Sequence, residues 1–182
     1  MMLVLSVMRR PQLRQLPTTS KLEGLPLGAA GTRHTLKRMA GFVRSGQGKL
    51  SPEIRHLTVS LVSHCPQKHS LCEIINIHKF VRDKIRYIKD IDGVETVTTP
   101  EKTLEIGAGD CDDKSTLICA MLGSIGYKTR LVAVGPLPNI FVHVLCEVYD
   151  PKVFKWIPLE TTENVNAGWY PKKFKYRMVQ SV

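Results

Sequence analysis

The sequence predicts an α+β fold in which N-terminal helices precede one further helix packed on a small antiparallel sheet. Three observations predict it. Apolar residues recur at helical spacing between Leu36 and Ile85. A glycine loop, Gly107-Ala108-Gly109, then opens onto another apolar helical run, Leu117-Ile118-Cys119-Ala120-Met121-Leu122. Beyond Gly126, β-branched and aromatic residues take over in three short runs parted by turn formers. The 182 residues suit one domain, and a 43% hydrophobic share is enough to build its core.

The elements follow in order. Residues 1–30 scatter Pro11, Pro17, Gly24, Pro26 and Gly28 without periodicity and read as an extended arm, leaving 31–182 as a single domain. Leu36, Met39, Ala40 and Val43 predict a helix over 32–44, ended by Ser45-Gly46-Gln47-Gly48. Ser51-Pro52-Glu53 supplies a cap, a first-turn proline and an acid for a second helix carrying Ile54, Leu57, Leu61 and Val62. Ile74, Ile77, Val81 and Ile85 form the stripe of a third over 71–85. Thr99-Pro100-Glu101 starts a short helical turn that leads to the glycine loop. The strands are expected over 128–134, 139–149 and 154–159, joined by Gly135-Pro136-Leu137-Pro138 and by Asp150-Pro151-Lys152.

Charge is uneven. The chain carries a net +10, and its first 55 residues hold ten Lys/Arg against two Asp/Glu. A basic arm suits nucleic acid, an anionic lipid surface or an acidic partner. No aromatic residue precedes Phe42, which excludes a base-stacking platform and leaves phosphate contact. The start, Met1 to Arg10, has no basic residue before its apolar part and no clean small-residue cleavage site, so a cytoplasmic protein without a membrane span is expected.

Chemistry concentrates on Cys111. Asp110 is a good N-cap, so the thiol falls in the first turn of a helix, where the partial positive charge favours a thiolate. His143 lies in the second strand and is its only group able to take a proton near neutral pH. Alternation sets it on one face with Phe141 and Leu145, with Cys146 on the other. Glu160 closes the third strand, and a short turn between strands can set its carboxylate beside the imidazole. Asp110, Asp112 and Asp113 invite a calcium reading, but the loop spacing for that ion is missing, and first-turn acids complement the helix dipole. Cys65, His69, Cys72 and His78, with His64 adjacent, form the one set that could hold zinc. Their spacing matches no common finger, and the segment reads as a polar interhelical loop with free thiols. Five cysteines fit no disulfide framework, and neither metal nor cofactor is expected.

Gly109-Asp110-Cys111-Asp112-Asp113-Lys114, then Phe141-Val142-His143-Val144, then Trp156-Ile157-Pro158-Leu159-Glu160-Thr161-Thr162, resemble the transglutaminase-like cysteine enzyme superfamily. More narrowly, they are similar to its small members in tailed phages and prophages. The likeness runs from Gly28 to about Pro171. It implies a papain/transglutaminase-like core and a Cys-His-acid arrangement of Cys111, His143 and Glu160. Tyr87 corresponds to an aromatic that lines the cleft or helps form the oxyanion pocket with the Cys111 amide; the plainer reading is an interfacial tyrosine. The implied activity is acyl transfer on amide bonds of a protein or peptide substrate: peptidase, isopeptidase, deamidase or transglutaminase. The alternative is an inactive phage-particle structural or accessory protein with a basic binding arm. The family ends its second motif strand in Asp-Pro-Thr where this chain has Glu160-Thr161-Thr162, so the acid is one methylene longer.

Overall fold

The computed structural model describes residues 19–21, 27–90 and 96–182. Most of the expected arm lies outside these residues. A short strand, β1 (Thr19–Lys21), pairs antiparallel with β3 (Thr96–Thr98). Between them come α1 (Ala29–Arg44), α2 (Pro52–Val62), α3 (Ser70–Lys84) and β2 (Arg86–Tyr87). Then follow α4 (Pro100–Ile106), β4 (Ala108–Gly109), α5 (Cys111–Ser124), β5 (Thr129–Gly135), β6 (His143–Asp150), β7 (Lys155–Leu159) and β8 (Tyr176–Ser181).

Local chemistry accounts for the helix boundaries. The Ser51 hydroxyl accepts the Ile54 amide at 3.2 Å, and Pro52 occupies the first turn of α2, where its missing N–H costs nothing. Gly126, at φ +97°, takes the chain out of α5, a conformation that a side chain disfavours. Helix α5 is buried along nearly its whole length, from Asp112 to Ser124, because α1, α2, α3 and α4 pack round it and β6 lies against its remaining side. Such a helix cannot be amphipathic, which is why its sequence reads as a continuous apolar run after the first turn.

The main sheet has four strands in the order β7-β6-β5-β8, all antiparallel. The expected three strands are present, and β8 is an addition. One face of the sheet joins the helical core through Leu131, Ala133, Val144, Cys146 and Val148. The other buries Val132, Val134 and Leu145 beneath Tyr170 and Phe174. Edge placement explains Pro158 in β7, since an edge strand tolerates a residue that cannot donate.

Strand β6 starts at His143, not at Asn139 as expected. Residues 139–142 form the return limb of a tight loop in which Val142 N–H bonds Val134 O at 3.0 Å. Gly135 makes that loop possible: a Cβ there would stand 1.8 Å from the Ile140 carbonyl oxygen. Phe141 therefore leaves the face it was assigned with Leu145 and packs on the helical core.

Candidate active site

Cys111 is the first residue of α5, and Asp110 is its cap. One carboxylate oxygen of Asp110 accepts the amides of Asp112 and Asp113 at 2.9 and 3.0 Å, which leaves the Cys111 amide outside the cap. Asp113 turns the other way and accepts the Thr98 amide at 2.7 Å, tying β3 to the nucleophile helix. Gly109 permits this turn, since a Cβ would meet the Asp113 Cβ at 2.6 Å. Burial pushes the Asp110 carboxyl up to about 7, against the opposing pull of the amides it accepts. Burial likewise raises Asp113.

The Cys111 sulfur is held as a thiol. Burial pushes it well above the ordinary thiol range, and the Asp112 and Asp110 carboxylates push the same way. Its S–H donates to Asp112 Oδ1 at 3.5 Å. The Val144 backbone pulls in the opposite direction and does not outweigh burial and the carboxylates.

His143 and Glu160 meet directly. Nε2 of His143 lies 2.6 Å from Glu160 Oε2, with the two side chains 17% and 1% exposed. The second oxygen, Oε1, accepts both the amide and the hydroxyl of Thr162 at 2.7 Å. Burial alone would raise Glu160, but the bond and charge of His143 and the two Thr162 bonds outweigh it and hold the carboxyl below its usual range. With Nε2 committed to the carboxylate, Nδ1 is the nitrogen left to exchange a proton with substrate or sulfur. Glu160 follows the last residue of β7, and its backbone oxygen accepts from His78 Nε2 on α3 at 2.5 Å. Burial depresses His78, against the opposing pull of its bond to the Glu160 carbonyl.

Two supporting residues went unassigned in the sequence. His78 belonged to the zinc set. Lys114 stands within the cysteine motif with no role of its own in the sequence, yet it is 1% exposed, and its Nζ donates to Ile85 O at 2.6 Å and Arg82 O at 3.3 Å. It thus binds the carbonyls that end α3, one helical turn along α5 from the sulfur. Burial lowers it to about 8, against the opposing charges of Glu160 and Asp83. The signal was present: a lysine three residues before Leu117 and four before Ile118 shares their side of a helix whose later turns are continuously apolar.

A cavity of about 490 Å³ brings Cys111, Asp112 and His143 together, floored by Gly31, Thr35 and Leu36 of α1. A second hollow of about 350 Å³ holds Tyr87, His143, Glu160 and Trp169. His143 lines both, with Val142 beside it. Tyr87 pairs with Gly109 across β2 and β4, is 48% exposed, and is raised by burial. It therefore borders the cleft and is not an interfacial residue of the core.

The loop between α2 and α3 corrects two expectations. Cys65 and Cys72 are joined by a disulfide, so they are not free thiols. The four-residue zinc set is also dispersed: His78 faces Glu160, and His69 Nδ1 accepts the Cys72 amide at 3.1 Å as the cap of α3. Cys119 and Cys146 are buried, as a core reading of Cys119 requires, and their sulfurs lie 2.9 Å apart between α5 and β6. Among the described residues, no helix is long and apolar enough to cross a membrane.

Comparison with known proteins gives the family. No curated protein matches the chain. A protein of Cytophaga hutchinsonii, provisionally assigned as a cysteine protease, is 16% identical with a TM-score of 0.51 over 80% of this chain and 55% of its own. A protein of Parabacteroides distasonis, provisionally assigned as a protease, is 12% identical with a TM-score of 0.53 over 82% of this chain and 32% of its own. A chain from the Rad4/XPC nucleotide excision repair complex, studied for DNA duplex opening, is 14% identical with a TM-score of 0.57 over 82% of this chain and 44% of its own. The chain thus spans about half or less of these structures, which share its fold. The model of the transglutaminase-like superfamily matches residues 55–161, more than half of the sequence, and the chain belongs to that superfamily.

Proposed function

We propose that this chain is a thiol-dependent acyl-transfer enzyme acting on amide bonds, with Cys111 as nucleophile, His143 as base and Glu160 as the group that orients it. The observation that carries the reading is the 2.6 Å bond between a buried, doubly anchored Glu160 and Nε2 of His143, whose ring lines the cavity that Cys111 also lines. His143 takes the thiol proton as sulfur attacks the amide carbon, and returns it to the amine as the C–N bond breaks. The developing oxyanion is met by the Cys111 amide that Asp110 leaves free of its cap, with Tyr87 at the rim. Water then attacks the thioester, giving a carboxylic acid and restoring the thiol. Hydrolysis of a peptide or isopeptide bond is the first reading, and transfer to an amine uses the same thioester. The motif order from Gly109 to Thr162 supports a phage or prophage setting, in host cytosol or particle, with a protein or peptide substrate.

The raised Cys111 thiol favours the second reading, a catalytically silent accessory protein whose basic N-terminal segment contacts a phage partner or nucleic acid. One experiment separates the two. Alkylation at neutral pH should label Cys111 far faster than Cys119 or Cys146, and His143→Ala should slow Cys111 by about 10²–10⁴-fold. Equal, slow labelling of all three thiols, unaffected by His143→Ala, selects the accessory protein.

A further inference from the structure

The loop joining α2 to α3 gathers more chemistry than a cross-link needs. A ring nitrogen of His64 and the sulfurs of Cys65 and Cys72 all lie within 4.8 Å of one another. A tetrahedral ion with metal–sulfur bonds of about 2.3 Å holds two sulfurs about 3.8 Å apart, so the bonded sulfurs must part on reduction, and the His64 ring already stands within reach of the space they would then enclose. Both sulfurs are contacted by the same donor: Asn76 Nδ2 lies 3.6 Å from Cys65 Sγ and 3.5 Å from Cys72 Sγ, and is itself anchored on Cys72 O at 2.9 Å. N–H groups aimed at sulfur stabilise thiolates and orient them as ligands. Cys72 also stands in the first turn of α3, where the helix dipole favours a negative sulfur. None of this is used by the cleft, which meets α3 further along, through His78 and the Arg82 and Ile85 carbonyls.

We propose that the reduced loop is a binding site for a soft divalent cation of the zinc class, held by Cys65, Cys72 and His64, with water completing the shell. The disulfide is the closed, metal-free state of the same three residues. A phosphine reductant opens it: two electrons pass to the sulfur pair, the phosphine takes the oxygen of one water, and that water's two protons go to the two sulfurs. The cation then displaces both thiol protons and is neutralised by two thiolates. Imidazole and thiolate together select zinc, cobalt or nickel over magnesium or calcium. Oxidation of the loop therefore expels the ion, and metal occupancy protects the thiols from oxidation.

The test uses the full chain with Cys111→Ser, which removes the cleft thiol, reduced with phosphine and titrated with Co²⁺ as a coloured probe. One equivalent should bind and produce a sulfur-to-cobalt charge-transfer band, which zinc bleaches; the unreduced protein should show none. Asn76→Ala should weaken cobalt binding by about 10–100-fold while the band remains at saturation. His64→Ala should weaken binding at least as much and alter the ligand-field bands in the visible. Circular dichroism of each variant reports the fold separately. Absence of a sulfur-to-cobalt band in folded, reduced protein overturns the site. So does a band that survives Cys65→Ser/Cys72→Ser, which assigns it to Cys119 and Cys146, or one indifferent to His64→Ala.

Discussion

Replacing Glu160 by glutamine tests the orienting role without changing size. The carboxylate serves three donors: His143 Nε2 on one oxygen, and the Thr162 amide and hydroxyl on the other. Glutamine has one oxygen and one NH₂ to put in those places. If its oxygen stays with Thr162, its NH₂ faces Nε2, which must then be bare, and the ring proton moves to Nδ1. That tautomer cannot accept a proton from the thiol. If the amide flips to serve His143, its NH₂ confronts the Thr162 amide and the hydroxyl must rotate. Two hydrogen bonds at about 1 kcal/mol each are then at stake. The unproductive orientation is favoured by about 2 kcal/mol, which leaves roughly one ring in thirty correctly protonated. Loss of the charge that stabilises the imidazolium adds about 1 kcal/mol more, since charge-assisted bonds are roughly twice as strong as neutral ones. Cys111 alkylation at pH 7 should therefore slow by about 10²-fold, with the melting temperature showing that the fold survives. The assay is a pseudo-first-order rate with the labelled cysteine identified by mass spectrometry. A Glu160→Gln rate within threefold of the parent, in folded protein, refutes the orientation argument.

Other outcomes follow from the same geometry. Asp110→Asn keeps the cap oxygen but removes a charge that raises the thiol, so alkylation should quicken in the variant, and a limb near pH 7 should vanish from the rate profile; Asp110→Ala should cost about 1 kcal/mol in denaturant unfolding as well. Glu160 is depressed in the folded state, so its contribution to stability is complete above its unfolded value and is lost as pH falls through the lower, folded one; acid unfolding of Glu160→Gln should lack that part of the transition. Lys114, lowered to about 8 from 10.5, acts with the same sign in a higher window: between those values the unfolded chain binds more protons, so stability should rise with pH there, and urea unfolding of Lys114→Met should show a flatter rise. Gly135→Ala forces a methyl against the Ile140 carbonyl, and should cost about 1–3 kcal/mol in urea while slowing Cys111 labelling through the displaced 139–142 limb.

The parts of the molecule that local rules govern were legible in the sequence. Ser51-Pro52-Glu53 and Asp110 cap helices because their side chains serve amides two or three residues away. The pairing of His143 with Glu160 was legible for a similar reason, since a short turn between adjacent strands leaves few registers. What escaped depended on distant partners. Strand β8 alternates weakly because it is an edge, with Arg177 half-covered against Glu147 and Tyr176 and Val179 exposed. His78 and Lys114 are explained only by carbonyls on other elements, Glu160 O, Ile85 O and Arg82 O. The Cys65–Cys72 bond closes a short loop whose spacing fits no metal finger and reads as thiols, because spacing does not show that the two sulfurs meet. The late start of β6 followed from one close approach at Gly135, which no periodicity reveals.

His143 lines two separate hollows, one beside the sulfur and one beside Tyr87 and Trp169. On the acyl-transfer reading, the imidazole is a partition between two chambers. A severed amine can drain through one while the acyl half stays bound to sulfur in the other. The next nucleophile then enters by the vacated door, and what fits that doorway, not the reactivity of the sulfur, sets whether the thioester meets water or a second amine.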